Sequence, residues 1–231
     1  MTNQENKIPI KGYATFDPLK HCWIGSGFKA EWFADLPIYK NNKIMDPLKK
    51  IAEETEEDYQ KLEKILQDAG VQTHRSHLDM DKVKSLKNIY RPPINPRDHF
   101  AVIGEKIYAV SGGSEGYADV LKRIDRKNLE LCHTPGAIST AVICRVGKDL
   151  WWDVHSEVPK QIMDKYAQKW RDEGFRVHIS DRGYHSDGVF CVVKPGCIVS
   201  LKKIQKYEEN FPGWDVLYLP DQSWDKLSSF W

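Results

Sequence analysis

Two short patterns recur along the chain, and together they decide most of what it can fold into. The first is an apolar strand of about five residues that enters a turn holding Gly and Lys and leaves as a second β-rich strand. It appears as DHFAVIGEKIYAV (98–110), TAVICRVGKDLWWDV (140–154) and GVFCVVKPGCIVSL (188–201), turning at Gly104, Gly147 and Gly196. FDPLKHCWIGSGF (16–28) reads as a less regular first copy. The second pattern is an amphipathic helix, a glycine, and a short β-branched strand. It appears in EEDYQKLEKILQDAGVQTH with Gly70, in VPKQIMDKYAQKWRDEGFRVHI with Gly174, and in IQKYEENFPGWDVLYL with Gly213. Each of these glycines suits the left-handed residue that stops a helix, and Pro159 suits a first helical turn.

Alternation of the two patterns defines a module of strand, turn, strand, helix, strand. Copies lie near 16–75, 98–135, 140–180 and 188–220, with successive turns roughly 40 to 50 residues apart. A unit this small cannot bury both faces of its sheet, so the copies must pack on one another. The expected architecture is α/β: a ring of ββαβ units around a central axis, with strand ends pointing inward. Four copies are visible, and the tail DQSWDKLSSFW (221–231) begins something further. No low-complexity stretch or linker divides the chain. RPPINP (91–96) reads as a rigid extended lead into the second module, so residues 1–231 read as a single domain.

Composition narrows the function classes. With 41% hydrophobic residues and eight tryptophans among 231 residues, the chain can bury a sizeable core. A net charge of +1 gives no field that would favour nucleic acid or a membrane surface as partner. Five cysteines, Cys22, Cys132, Cys144, Cys191 and Cys197, show no metal-binding spacing, and most have apolar neighbours. They read as small buried hydrophobes in a reducing cytoplasm. The polar N-terminus MTNQENKIPIKG has neither signal-peptide nor transit-peptide character. No cofactor and no metal are expected.

Chemistry concentrates at the mouths of two hairpins. The second module opens with Pro96-Arg97-Asp98 and the fourth with His185-Ser186-Asp187. On a strand, a period of two would set His185 and Asp187 on one face, and in a radial fold both openings would face the central channel. Trp151-Trp152 and the tryptophans of 224–231 read as core or interface, and the acidic run 53–58 as a solvated helix face. Ser111-Gly112-Gly113-Ser114-Glu115-Gly116 reads as a flexible loop able to act as a lid.

PRDHFAVIGEKIYAV, then HSDGVFCVVKPGCIVS, then WDVLYLP, resemble the glycine (L-arginine:glycine) amidinotransferase family of guanidino-group modifying enzymes, which have the pentein α/β-propeller fold. The resemblance extends from TFDPLKHCWIG to the terminal Ser228-Ser229-Phe230-Trp231, which is similar to a Ser-Ser-x-Trp segment of that family. It implies amidino transfer from arginine to an acceptor amine such as glycine through a cysteine intermediate. It also implies His185 as general acid/base, with Asp187 as the carboxylate that steadies it and the substrate. Ser228 and Ser229 would contact the amino-acid end of the substrate. Arg97 and Asp98 match the PRD motif and are placed with the substrate-binding residues, where they are expected chiefly to shape the module mouth.

Two departures from the family accompany these matches. Val142 stands where the family carries a further carboxylate, in Ser139-Thr140-Ala141-Val142-Ile143-Cys144-Arg145-Val146-Gly147. The sequence also ends just after Ser229, short of the fifth-module segment in which the family holds its cysteine, so four of five modules are expected. Cys191 would lie some 20 Å from His185 along an extended strand. The alternatives are a fragment or half of a split enzyme completed by another polypeptide, a pentein that binds without catalysis, and a deiminase or dihydrolase of the same superfamily. An open ring also makes self-association an expectation.

Overall fold

A computed structural model describes residues 7–78, 94–111, 113–154, 157–180, 185–201 and 207–220. Three of its sheets repeat one topology. In the first, β3 (Phe100–Ile103) pairs antiparallel with β4 (Lys106–Val110), and β4 pairs parallel with β5 (Leu129–Cys132). In the next, β6 (Ile143–Val146), β7 (Asp149–Asp153) and β8 (Arg176–Ser180) do the same. The last is built from β9 (Phe190–Lys194), β10 (Cys197–Leu201) and β11 (Asp215–Leu219). A tight turn can join only antiparallel neighbours, and a helical crossover returns the chain parallel. The alternation of the two sequence patterns therefore dictates this order. Helices α2 (Ala118–Leu121) and α3 (Lys160–Asp172) occupy the first two crossovers. A single helical turn, α4 (Ser186–Val189), leads into β9, and α5 (Tyr207–Asn210) occupies the last crossover.

The pattern glycines sit where backbone geometry demands them. Gly104 and Gly147 hold φ of 59° and 68° at the first turn position of their hairpins, as the primed two-residue hairpin turns require. Lys194-Pro195-Gly196-Cys197 instead puts Pro before a glycine at φ 81°, a type II arrangement whose twist opposes that of the strands. The register accordingly slips between Cys197 and Ile198. At the helix ends, the Gly70 and Val71 N–H groups donate to the Gln67 and Leu66 carbonyls. Gly174 and Phe175 repeat this on Arg171 and Trp170, so both ends are Schellman motifs.

The first module departs from the expected pattern. Among the described residues it contains β1 (His21–Ile24), helix α1 (Asn42–Asp68) and β2 (Gln72–Arg75), with β1 and β2 parallel and no hairpin. Gly25 and Gly27 do not turn the chain. A Cβ on Gly25 would stand 2.1 Å from the Ile94 carbonyl oxygen and 2.6 Å from the Tyr59 hydroxyl, and one on Gly27 2.6 Å from Glu56 Oε2, so these glycines permit close packing against α1 and the backbone at Ile94. Helix α1 also begins well before its periodic half. Asn41 caps it by accepting from the Lys43 N–H at 3.0 Å, and Pro47 lies inside it at the cost of one backbone bond. Met45, Leu48 and Ala52 bury its early face against Phe28, Ala30 and Phe33.

The chain divides into two compact units. The first takes the described residues to Lys11 with Pro18–Ser139, and the second takes Gly12–Asp17 with the described residues from Thr140 onward. In the first, Phe100, Ile107, Ala109, Tyr117 and Val120 form a core with Trp23 packed against it. In the second, Trp151, Phe190, Ile198, Tyr207 and Phe211 form the centre. Trp152 and Trp170 are fully buried and meet edge to face at 4.9 Å, so the Trp151-Trp152 pair is core as expected. Each such side chain contributes on the order of 1.5–3 kcal/mol by burial.

The glycine-rich loop is a correction. Ser114–Tyr117 forms a 3-10 turn with Ser114, Gly116 and Tyr117 buried, and the Tyr117 ring lies 5.5 Å from both Trp23 and Phe100. That packing makes the described part of the segment core, in place of the expected flexible loop. The acidic run is solvated except for Glu56, whose carboxylate takes Arg75 Nη2 at 2.9 Å and the Gly27 N–H at 3.0 Å. Burial raises the Glu56 carboxyl, while Gln60, Gly27 and Arg75 together bring it below its usual value. No described helix is long and apolar enough to cross a membrane.

Candidate functional site

Each of the three hairpins is preceded by a turn, and the two polar sequence motifs lie on two of these. In the fourth module that turn is α4, with His185 as its N-cap residue. The expectation that His185 and Asp187 alternate along a strand is therefore corrected. His185 is extended at the cap while Asp187 lies within the helical turn, so the period of two that sets strand residues on one face does not apply to the pair. His185 and Asp187 are both exposed, whereas Ser186 between them is fully buried, and Val189 is buried as well.

Among the described residues, hydrogen bonds hold this turn at its near end, at its own closure and at its far end. The Gly188 N–H donates to the His185 carbonyl at 3.0 Å, closing the turn. The Ala141 carbonyl, on the turn before β6, accepts from the Asp187 N–H at 3.1 Å and from Ser186 Oγ at 3.3 Å. At the other end, Ser200 Oγ donates to the Val189 carbonyl at 2.7 Å and takes the Tyr207 hydroxyl at 2.9 Å. Ser200 and Tyr207 are buried, so the turn stands on a dry, hydrogen-bonded base. Ser186 and Ser200 are residues that sequence reasoning misses, because a serine in a polar opening carries no mark of burial.

In the second module, Pro96–Asp98 is a 3-10 turn with Pro96 buried and Arg97 and Asp98 exposed. The His99 N–H donates to the Pro96 carbonyl at 3.0 Å. Tyr59 reaches this segment from α1 and donates to the Ile94 carbonyl at 3.2 Å, with the Arg75 guanidinium over its ring at 5.5 Å. Burial pushes the Tyr59 hydroxyl upward, opposed by Arg75 and reinforced by the charges of Asp98 and Glu56. The His185 and Asp187 pair thus lies in the second unit, and the Arg97 and Asp98 pair in the first. Ser228 and Ser229 lie outside the described residues, as does the Trp224–Trp231 stretch.

The turn before β6 has the same place in its module and carries neither an imidazole nor a carboxylate. Ser139, Ala141 and Val142 are buried. The nearest acid in the hairpin is Asp153, at the end of β7, whose N–H donates to the Val142 carbonyl at 2.9 Å and which is itself 3% exposed. Nothing in the sequence pattern marks a carboxylate inside an all-buried strand. At the far end of the same hairpin, Asp149 accepts from Arg176 Nε at 2.8 Å and meets His178 Nε2 at 2.7 Å. Burial raises the Asp149 carboxyl, and the hydrogen bonds and charges of Arg176 and His178 outweigh this and lower it.

None of the five cysteines lies on a hairpin lead-in turn. All are free thiols; Cys132, Cys144 and Cys197 are buried, Cys22 is half-buried and Cys191 is exposed. Burial raises the Cys22 thiol, and it pushes Cys144 up to about 12 against a weaker pull from Arg145. Such thiols stay protonated and unreactive at neutral pH. The helical turn before β9 shortens the path from His185 to Cys191 to about 13 Å of chain rise, still beyond hydrogen-bond reach. Among the described residues, no group of three or more His, Cys, Asp or Glu is placed to hold a metal ion.

No protein-family profile matches the sequence, and no curated protein sequence matches it. Solved structures do. An inosamine-phosphate amidinotransferase from Streptomyces griseus aligns with a TM-score of 0.67 at 16% identity, over 92% of this chain and 76% of its own. SxtG, an amidinotransferase of the saxitoxin biosynthetic pathway from Microseira wollei, gives 0.64 at 16% identity over the same shares. DDAH from Pseudomonas aeruginosa, in complex with citrulline, gives 0.60 at 12% identity, over 87% of this chain and 76% of its own. At such identities the likeness is one of fold, and it agrees with the strand, turn, strand, helix, strand repeat of the sequence. The chain has the amidinotransferase-type α/β-propeller fold of the penteins.

Proposed function

We propose that the protein acts on guanidino compounds as an amidinotransferase-type enzyme, taking an amidino group from arginine to an acceptor amine such as glycine. The observation that carries this reading is the exposed His185 and Asp187 on a turn whose base is locked by buried hydrogen bonds, on a fold shared with amidinotransferases. A planar, cationic guanidinium suits a carboxylate that can take its N–H groups in a fork. Asp187 supplies that group. Arg97 and Asp98 shape the mouth of the second module as substrate-binding residues, and Ser228 and Ser229 take the amino-acid end of the substrate.

His185 serves as the proton carrier, because a ring nitrogen of an imidazole can both give and accept a proton. In the forward half-reaction a thiolate, brought by a complementing polypeptide because none of the five cysteines of this sequence stands on a lead-in turn, attacks the guanidinium carbon, and the C–N bond to the leaving amine breaks as His185 donates its proton to that nitrogen. Ornithine departs and an amidino-thioether remains. In the second half the acceptor amine attacks the same carbon, gives its proton to His185, and releases the thiolate. Atoms and charges balance as arginine plus glycine to ornithine plus guanidinoacetate. Five free thiols suit a reducing cytoplasm as the site of action.

A second reading, guanidino binding without turnover, is favoured by the cysteines: none stands on a lead-in turn, and Cys22 and Cys144 are held protonated. One experiment separates the two. The protein is incubated with arginine and glycine, ornithine and guanidinoacetate are quantified, and arginine binding is measured by calorimetry in parallel. Product formation that disappears in His185→Ala supports the enzyme. Saturable arginine binding without product supports the binder, and absence of both rejects the guanidino reading.

A further inference from the structure

Resting on the guanidino reading above, we infer that Ser186 is a positioning residue, whose buried hydroxyl sets His185 and Asp187 in register against the lead-in turn of the neighbouring module. Three observations converge on it. Ser186 is 0% exposed although both its neighbours are exposed. Its Oγ donates to the Ala141 carbonyl at 3.3 Å. That same oxygen accepts the Asp187 N–H at 3.1 Å. A carbonyl has two lone pairs, so one oxygen of the third module takes both bonds from the fourth.

The consequence is geometric. The Gly188 N–H bond to the His185 carbonyl closes the turn on itself, without saying where the turn sits. Ser200 holds its far end, through the Val189 carbonyl. The two bonds to the Ala141 oxygen tie the near end to the turn that carries Val142, where the related enzymes are expected to present a carboxylate. Ser186 is the side chain in that tie, and the Asp187 backbone is its companion. A misplacement of about 1 Å in a reacting group can cost 10²-fold. A hydroxyl in the base of the turn can then govern substrate binding without touching substrate.

The test uses the full chain. Arginine affinity is measured by calorimetry across pH, and the His185 ring is titrated by NMR. Ser186→Ala is expected to weaken arginine binding about tenfold and to displace both the pH midpoint of binding and the His185 titration. Ser186→Cys keeps the volume with a weaker donor; its affinity should fall between the two, and it reads the same question should Ser186→Ala not fold. Trp170→Phe, which loosens a buried contact on α3, should lower Tm while leaving arginine affinity and the His185 titration as in the wild type. Ser186 variants that match the wild type in affinity and midpoint, while Asp187→Asn loses binding, overturn the inference and leave the guanidino reading standing. Arginine binding that persists unchanged in Asp187→Asn removes both.

Discussion

The lead-in turns of the third and fourth modules hold the same place in the repeat and opposite chemistry. Before β9, the turn presents His185 and Asp187 to solvent and buries Ser186 and Val189 beneath them. Before β6, the equivalent turn buries Ser139, Ala141 and Val142 and presents no acid. Yet the two are joined, because the Ala141 carbonyl takes two hydrogen bonds from the fourth module. One turn carries side chains for chemistry, and the other offers its backbone as the surface on which the first is set. A repeat fold allows this division, since each module keeps its hairpin while the turn before it is free to vary.

The sharpest way to break that comparison is to give the third module's turn the acid it lacks. Val142→Asp places a carboxylate at a position 5% exposed, and it is expected to destabilise the protein by about 3 kcal/mol or more. Denaturant unfolding measures this directly. A Val142→Asp protein as stable as the wild type would mean that this turn is open, and the contrast with the fourth module would fall. The reciprocal change, His185→Ala or Asp187→Asn, removes an exposed side chain. Stability should then move by no more than about 0.5 kcal/mol, while arginine turnover or binding falls by about 10²-fold.

Between these extremes lies the base of the fourth turn. Ser200→Ala removes the donor to the Val189 carbonyl and the acceptor of the Tyr207 hydroxyl, both buried. An unfolding cost of about 1–3 kcal/mol is expected. A cost near zero would show that the turn does not depend on its dry base.

How much of this is legible in the sequence follows from which residues leave a mark on a pattern. Gly104, Gly147 and Gly196, with Gly70, Gly174 and Gly213, are readable because each stands at a positive φ that few other residues tolerate. Their order alone yields three of the sheets. Gly25 and Gly27 mislead for the same reason: a glycine needed for close approach to Ile94 and Glu56 looks in sequence like one needed for a turn. The four-residue turn α4 is invisible because it is too short to show a 3.6-residue period, and His185 and Asp187 therefore read as strand residues. Pro47 conceals the first half of α1. The residue types of the candidate site are legible, while the buried serine that seats them is not, since burial of a small polar side chain depends on partners distant in sequence.

The two units also differ in how acid should reach them, and this gives the finest test. In the first, Arg123 Nη2 lies 3.3 Å from His74 Nδ1, and His74 Nε2 lies 3.1 Å from His21 Nδ1. A guanidinium only donates, so His74 accepts from Arg123 and carries its proton toward His21. Burial, then the charges of Arg123 and His21, lower His74 from 6.5 to about 4. The unfolded chain thus binds this proton more readily, and the associated stability is complete above about pH 6.5 and lost as pH falls toward 4. In the second unit, the lowered Asp149 carboxyl contributes stability that is present above the ordinary carboxylate range and lost only at more acid pH. Unfolding midpoints followed from about pH 7 to about pH 3 should decline in two stages. His74→Asn, which keeps an acceptor for Arg123 but does not titrate, should flatten the upper stage alone. Asp149→Asn should lower stability at neutral pH and flatten the lower stage. An upper stage that survives in His74→Asn would assign the acid sensitivity to some other group, and with it would go this distinction between the units.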